Sequence, residues 1–117
     1  MDTPSLPDAP EGYAIRSRGV VLAYAGEVDI ATAGELRALL AGAPGTTPTV
    51  TLDASAITFL DASGLTALLS ARVHLEACGR QLWLRSPCPQ VSMLLHAAGL
   101  DAVLLDPLGG EDTTSPT

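Results

Sequence analysis

The residues best suited to chemistry in this chain are Ser63 and Asp61, a hydroxyl and a carboxylate two positions apart. They follow a short apolar strand pattern at 50–53, and an amphipathic helix is predicted over 64–78. This spacing predicts that Ser63 is the N-cap of the helix, because a serine there accepts a hydrogen bond from the first unpaired backbone amides. The positive end of the helix dipole would also tolerate a phosphate on that hydroxyl. Spacing alone favours a purely structural cap, since serine is common at this position.

Strand and helix patterns alternate around this motif. The first two strands, 13–18 and 20–26, are predicted to be antiparallel because only a short turn joins them. A capping box is predicted from Thr32 to Glu35, since this pair at this spacing is typical of a helix start. Gly34 should weaken that start, because glycine is a poor helix former. The remaining predicted elements are strands at 49–53 and 81–85, helices at 64–78 and 89–98, and a closing strand at 102–105.

Hydrophobic spacing assigns the buried side of the long helix. Leu65, Leu68, Leu69, Val73 and Ala77 recur at intervals of three and four residues, which predicts that their side chains face the core. Strands separated by helices of this length need right-handed crossovers, and such crossovers make neighbouring strands parallel. The sequence therefore predicts an α/β fold with a mixed, mainly parallel sheet of four to five strands.

Length, composition and charge fit one small domain. The 117 residues, of which 47% are hydrophobic, predict one core at 13–105 between a flexible lead-in at 1–12 and a flexible tail at 106–117. The net charge of −7 argues against nucleic acid as a partner, because phosphate backbones would be repelled. No apolar run approaches the ~18 residues of a membrane span, and the first residues lack a signal-peptide pattern. We therefore expect a cytoplasmic protein without direct membrane insertion.

No cofactor, metal site or catalytic centre is expected. Cys78 and Cys88 are predicted to be free thiols, because no further ligands lie at metal-binding spacing. His74 lies on the helix that follows Ser63 and cannot fold back onto its start, given a rise of ~1.5 Å per residue. Ser63 also lacks the upstream glycine of a nucleophile elbow, and no glycine-rich nucleotide loop follows a strand. We therefore expect no intrinsic enzyme activity.

From about Val20 to Leu105, the chain resembles the STAS domain, in particular the stand-alone anti-sigma-factor antagonists. The most specific segment is 59–65, where an Asp, a small residue, a Ser and then Gly-Leu resemble the family's phosphoacceptor signature. The acceptor falls on Ser63. The family often has serine at the preceding position, whereas Ala62 here leaves a single hydroxyl in the motif. The other matching segments are 26–33, 52–55, 82–87 and 98–100.

The resemblance implies a STAS arrangement, with helices packed on one side of the sheet and Ser63 at an exposed helix N-terminus. Asp29 matches a family position beside the phosphoacceptor that contributes to partner recognition or phosphoryl transfer, but its place before a helix equally fits a simple loop start. Asp61 either orients the Ser63 hydroxyl or caps the helix, and the cap is favoured. The implied partner-binding surface comprises Asp29, Asp61, Ala62, Ser63, Gly64 and Leu65.

The function implied by the resemblance is a partner switch. The unphosphorylated domain would bind an anti-sigma factor that is itself a serine kinase, and so release a sigma factor. Phosphorylation of Ser63 by that kinase would end binding, because about −1.5 to −2 charges would enter a packed contact. A serine phosphatase would reset the switch. The alternative is a STAS subunit that regulates a membrane transport ATPase complex through the same surface, without a phosphorylation cycle.

Overall fold

The computed structural model describes residues 13–16 and 19–105, so the predicted lead-in at 1–12 and tail at 106–117 lie outside the described residues. The described part of the chain begins with three strands, and helices and strands are interspersed after them. The elements are β1 Tyr13–Arg16, β2 Gly19–Ala23, β3 Gly26–Val28, α1 Ala33–Ala41, β4 Thr49–Asp53, β5 Ile57–Leu60, α2 Ala62–Ala77, β6 Gln81–Arg85, α3 Pro89–Ala97 and α4 Asp101–Leu104.

The strands form a four-stranded sheet and a separate two-stranded sheet. The larger sheet has the order β1-β2-β4-β6, and the smaller one pairs β3 with β5. β1 runs antiparallel to β2, as predicted, while β2, β4 and β6 are mutually parallel. The predicted α/β class with a mixed, mainly parallel sheet is therefore confirmed.

The prediction of a single strand over 20–26 is wrong. The chain leaves the larger sheet after Ala23, and Gly26 begins β3, which pairs in parallel with β5. β5 itself lies between the strand predicted at 49–53 and the helix predicted at 64–78, where no element was predicted. Both strands are too short for hydrophobic alternation to identify, because β3 has three residues and β5 has four.

The predicted closing strand at 102–105 is also wrong. Residues Asp101–Leu104 form α4, and Leu105 alone makes a parallel bridge to Leu84. The amides of Val103 and Leu104 donate to the Leu100 carbonyl at 3.1 and 2.9 Å, so the backbone closes a helical turn where a strand was expected.

The core is built from aliphatic side chains of the larger sheet and the helices that cover it. On β2, β4 and β6, alternate residues share one side of the sheet and are fully buried in register. The two register rows are Val20, Val50 and Leu82, and Leu22, Leu52 and Leu84. Burying a side chain of this size contributes about 1.5–3 kcal/mol, so these rows fix the sheet that supports the helices.

The buried side of α2 differs from the prediction. Leu68 is buried as expected, but Val73 is 63% exposed and Ala77 is also exposed. The observed buried line contains small residues that let the helix approach the strands closely, whereas the prediction followed the large ones. It comprises Gly64, Ala67, Leu68, Ala71 and Leu75.

None of the helices within the described ranges is long and apolar enough to cross a membrane.

Candidate functional site

The candidate site lies where β3 and β5 end side by side. Val28 and Leu60, the last residues of the two strands, are register partners. The Asp61 amide donates a hydrogen bond to the Val28 carbonyl at 3.2 Å. Asp29 and Asp61 therefore emerge at the same edge, brought together by a strand pair that the sequence patterns did not predict.

Asp61 is the N-cap of α2. Its Oδ1 accepts hydrogen bonds from the backbone amides of Ser63 at 2.9 Å and Gly64 at 3.1 Å. The prediction that Ser63 is the N-cap is therefore wrong, because the helix begins at Ala62 and Ser63 lies within its first turn. Asp61 has an extended backbone, with φ −109° and ψ −167°, which lets its side chain reach forward to the free amides. The cap favoured for Asp61 is confirmed.

The Ser63 hydroxyl is consequently left available. The side chain is partly exposed, and its hydroxyl makes no hydrogen bond with any residue that the structure describes. Ala62 beside it is exposed. Because the hydroxyl lies at the N-terminal end of a 16-residue helix, the partial positive charge of the helix dipole favours an anion there.

The other two predicted contact residues on α2 are less accessible. Gly64 is buried and Leu65 is partly buried against the core. A Cβ atom on Gly64 would lie 2.7 Å from Leu60 Cγ and 2.9 Å from Val28 Cγ1. Non-bonded carbon atoms do not approach each other this closely. The glycine of the motif therefore lets the first turn of α2 rest directly on the ends of β3 and β5.

Asp29 organises the turn between β3 and α1. Its Oδ1 accepts hydrogen bonds from the amides of Ala31 at 2.9 Å and Thr32 at 3.2 Å. Its backbone amide donates to Thr32 Oγ1 at 3.0 Å, and that hydroxyl donates to the Glu27 carbonyl at 2.8 Å. Of the two interpretations of Asp29, the structure contains the turn-forming one, and a role toward a partner stays a prediction.

The capping box predicted for α1 is wrong. Thr32 is at the N-cap position but makes no side-chain cap, because its hydroxyl is committed to Glu27 and Asp29. Glu35 instead accepts a hydrogen bond from the Tyr24 hydroxyl at 3.0 Å. Burial and that hydrogen bond raise the pKa of Tyr24 above its ordinary value, so the phenol stays protonated and keeps the contact.

Ile30 projects from the tip of the Asp29 turn and is 84% exposed. Phe59, on the neighbouring β5, is 40% exposed. The turn that carries Ile30 is fixed by the Asp29 and Thr32 hydrogen bonds, so this apolar side chain is presented on a rigid support. Large exposed apolar side chains on rigid supports suit binding, because little conformational entropy is lost when they are covered.

The edge around these residues is acidic. Glu27, Asp29, Glu35 and Asp61 lie on it or on the turns beside it, and none of them forms an ion pair within the described part of the chain. These described residues contain no cluster of three or more His, Cys, Asp or Glu side chains able to hold a metal ion. Cys78 and Cys88 are free thiols.

Gln90 on α3 was not identified from the sequence. Its Oε1 accepts a hydrogen bond from the Leu60 amide at 2.9 Å, and its Nε2 donates to the Leu60 carbonyl at 2.9 Å. The contact links residues 30 positions apart, and no sequence pattern identifies such a pair.

Comparison with known proteins agrees with this fold. A family model described as "Mlab, STAS domain" matches residues 11–106. Among curated proteins, none matches this sequence significantly.

Three solved structures illustrate the likeness. An anti-sigma factor antagonist from Mycobacterium paratuberculosis has 26% sequence identity and a TM-score of 0.69, with 95% of this chain and 97% of that chain covered. The antagonist SpoIIAA, solved unphosphorylated, has 26% identity and a TM-score of 0.68 over 87% of this chain and 90% of its own. Phosphorylated Bacillus SpoIIAA has 25% identity and a TM-score of 0.62, with 87% of this chain and 95% of that chain covered.

A transporter domain shares the fold. The STAS domain of a SulP transporter from Vibrio cholerae has 20% identity and a TM-score of 0.57, covering 72% of this chain and 66% of that one. The family match spans all of the described residues, and the parallel strands, the start of α2 and the segment 59–65 lie within it. The chain belongs to the STAS domain family.

Proposed function

We propose that this STAS domain is an anti-sigma-factor antagonist that works as a phosphorylation-controlled partner switch, with Ser63 as the phosphoacceptor. The observation that carries the proposal is the Ser63 hydroxyl, partly exposed and without a described hydrogen-bond partner, on a helix turn that Asp61 holds in place. The likeness to SpoIIAA, which has been solved in both phosphorylated and unphosphorylated forms, supports this choice.

In the proposed cycle, the unmodified domain binds an anti-sigma factor that is a serine kinase, and a sigma factor is released. The kinase then transfers the γ-phosphoryl group of ATP. A bond forms between Ser63 Oγ and phosphorus, the bond to the ADP oxygen breaks, and the serine proton passes to a base on the kinase. Asp61 is a poor candidate for that base, because its Oδ1 already accepts two backbone amides.

Phosphorylation ends the proposed interaction through charge. A phosphate adds about −1.5 to −2 charges at the centre of a packed contact, where desolvation and like-charge repulsion oppose binding. Glu27, Asp29 and Asp61 already make this edge acidic, which adds to the local density of negative charge. A serine phosphatase resets the switch. The domain itself is proposed to be cytoplasmic and to catalyse no reaction.

A second candidate is a STAS subunit that regulates a membrane transport ATPase complex. The fold shared with the STAS domain of a SulP transporter favours it. Such a subunit would use the same exposed surface as a permanent contact, so its binding would not depend on the phosphorylation of Ser63.

Phosphosite mapping tests the first proposal. The purified chain and its Ser63→Ala variant are incubated with ATP and each serine-kinase anti-sigma factor of the host, and phosphate is located by mass spectrometry. We expect near-stoichiometric phosphate on Ser63 with one kinase and none on the variant, because Ala62 removes the neighbouring hydroxyl. Stoichiometric phosphate on another residue, or none with any kinase, would contradict the proposal.

A further inference from the structure

The outer edge of β5 is closed by side chains of α3. β3 occupies one edge of β5, and on the other edge the backbone groups of Leu60 bond to the Gln90 amide, with both distances at 2.9 Å. Cys88 lies near the same edge, with its Sγ 4.0 Å from the Thr58 carbonyl. Cys88, the N-cap of α3, and Gln90 in its first turn thus contact the edge of β5 that no strand of the described residues occupies.

The two Gln90 hydrogen bonds have ordinary lengths, and both go to the same residue. A primary amide has one acceptor and one donor group, and here both meet the backbone of one residue. Leu60 is fully buried, so loss of the clamp would leave its amide and carbonyl with poor access to water. The strand end is therefore fixed by a side chain from a different element.

Leu60 is followed directly by the residue that caps α2. Asp61 accepts the Ser63 and Gly64 amides, and its own amide bonds to Val28 at 3.2 Å. A shift of the strand end would move the capping carboxylate and, with it, the first turn of α2. The Gln90–Leu60 hydrogen bonds and the Asp61–Ser63 hydrogen bond are thus joined by a single peptide bond, that between Leu60 and Asp61.

We propose that Gln90 is a positioning residue for Ser63 and makes α3 part of the phosphorylation site. It fixes the strand end from which Asp61 caps α2. The identity of Ser63 as a phosphoacceptor rests on the proposed function, but the positional coupling does not, since it can be measured on the isolated protein.

Amide hydrogen exchange by NMR on the full ¹⁵N-labelled chain tests the coupling. In Gln90→Ala, we expect protection at Leu60, Ser63 and Gly64 to fall about tenfold more than at Leu52, because exchange of this amide in the core of β4 reports global unfolding. Gln81→Ala is the matched control, because that amide bonds to the Leu82 carbonyl at 3.3 Å on β6. The control should leave Ser63 and Gly64 unchanged.

Two results would overturn the proposal. If only Leu60 loses protection, Gln90 closes a strand edge without positioning Ser63. If Leu52 loses protection as much as the other amides, the clamp acts on global stability alone. Neither result bears on whether Ser63 is phosphorylated, because no kinase is present in the measurement.

Gln90→Glu supplies a second, nearly isosteric test. The protonated acid can still donate to the Leu60 carbonyl and accept from its amide, whereas the ionised carboxylate loses the donor and repels the carbonyl. The neutral form is therefore favoured in the fold, which raises the pKa of the introduced glutamate above its ordinary ~4.3. The two hydrogen bonds to Leu60 are therefore present below the ordinary pKa of ~4.3, and they are lost as the pH rises through the raised pKa.

At about pH 4, we expect the protection of Ser63 and Gly64 in Gln90→Glu to equal that in wild type. At about pH 7, we expect it to equal that in Gln90→Ala. Wild-type protein at each pH is the reference, because Asp61 at the strand end and Cys88 beside β5 are titratable groups close to the clamp. Protection of Ser63 that stays at the wild-type value at both pH values would also overturn the proposal.

Discussion

At the residue scale, Asp61 and Ser63 divide two tasks. The carboxylate binds the first amides of α2, and the hydroxyl remains available for modification. If Ser63 capped the helix, phosphorylation would alter the atom that holds the helix start. In the proposed switch, this separation would let a phosphate on Ser63 change the surface while Asp61 still caps the helix.

Two substitutions of Asp61 should separate the effect of losing the N-cap from the effect of losing the negative charge. Asp61→Ala should lower the free energy of unfolding by about 1 kcal/mol, because an N-cap is lost. Asp61→Asn should lower the free energy of unfolding by only a few tenths of a kcal/mol, since asparagine caps a helix about as well as aspartate. Urea denaturation measures both. An Asn variant as unstable as the Ala variant would contradict the capping role.

Ile30 should be an apolar anchor for the partner. Its 84% exposure on a rigid turn beside Asp61 predicts that Ile30→Ser weakens binding at least tenfold, which corresponds to about 1.4 kcal/mol. Val73→Ser is the control, because Val73 is 63% exposed on α2 but ten positions, or ~15 Å along the helix, from Ser63. Calorimetric titration with the phosphorylating kinase measures both. Equal affinities for the two variants would exclude Ile30 as an anchor.

At the element scale, the β3–β5 pair is what brings the site together. It places Asp29 and Asp61 at one edge and supports the first turn of α2 through Gly64. The glycine of the acceptor motif is thus required by packing, since even one added methyl group would overlap Leu60 and Val28. The close packing of α2 on the β3–β5 pair therefore depends on glycine at position 64.

Alanine at two glycines tests this dependence. Gly64→Ala should destabilise the protein by about 1–3 kcal/mol, because it overpacks a buried contact. Gly34→Ala, in the first turn of α1, meets no atom within 4 Å and should stabilise by up to about 1 kcal/mol, since alanine favours a helix. Thermal unfolding compares them. A neutral Gly64→Ala would show that α2 does not rest tightly on the strand ends.

At the scale of the whole molecule, regular periodic elements were predictable and side-chain contacts between distant segments were not. β4 and β6 were predicted with their observed bounds, because each is a compact apolar segment between turn residues. Arg80 shows the opposite case. It is only 8% exposed, and its guanidinium donates to the carbonyls of Ala43, Pro44 and Thr47.

The same limit applies to the site. The segment 59–65 offered both Ser63 and Asp61 as caps of α2, because both residue types favour that position, and only Asp61 makes the cap. Gln90 carried no local signal, since its role arises from the way α3 packs on β5. Periodicity describes one element at a time, whereas these contacts depend on how elements are placed relative to one another.

The most direct test of the partner switch compares the affinities of four forms of the chain for the phosphorylating kinase. Unmodified protein and Ser63→Ala should bind alike, because a small hydroxyl is all that is lost. Ser63→Asp should bind at least tenfold more weakly, about 1.4 kcal/mol, and protein phosphorylated at Ser63 more weakly still, since phosphate carries more charge than aspartate. Calorimetric titration, with circular dichroism to verify folding, gives these affinities. Equal affinity for all four forms would contradict the switch and favour the transport-complex subunit.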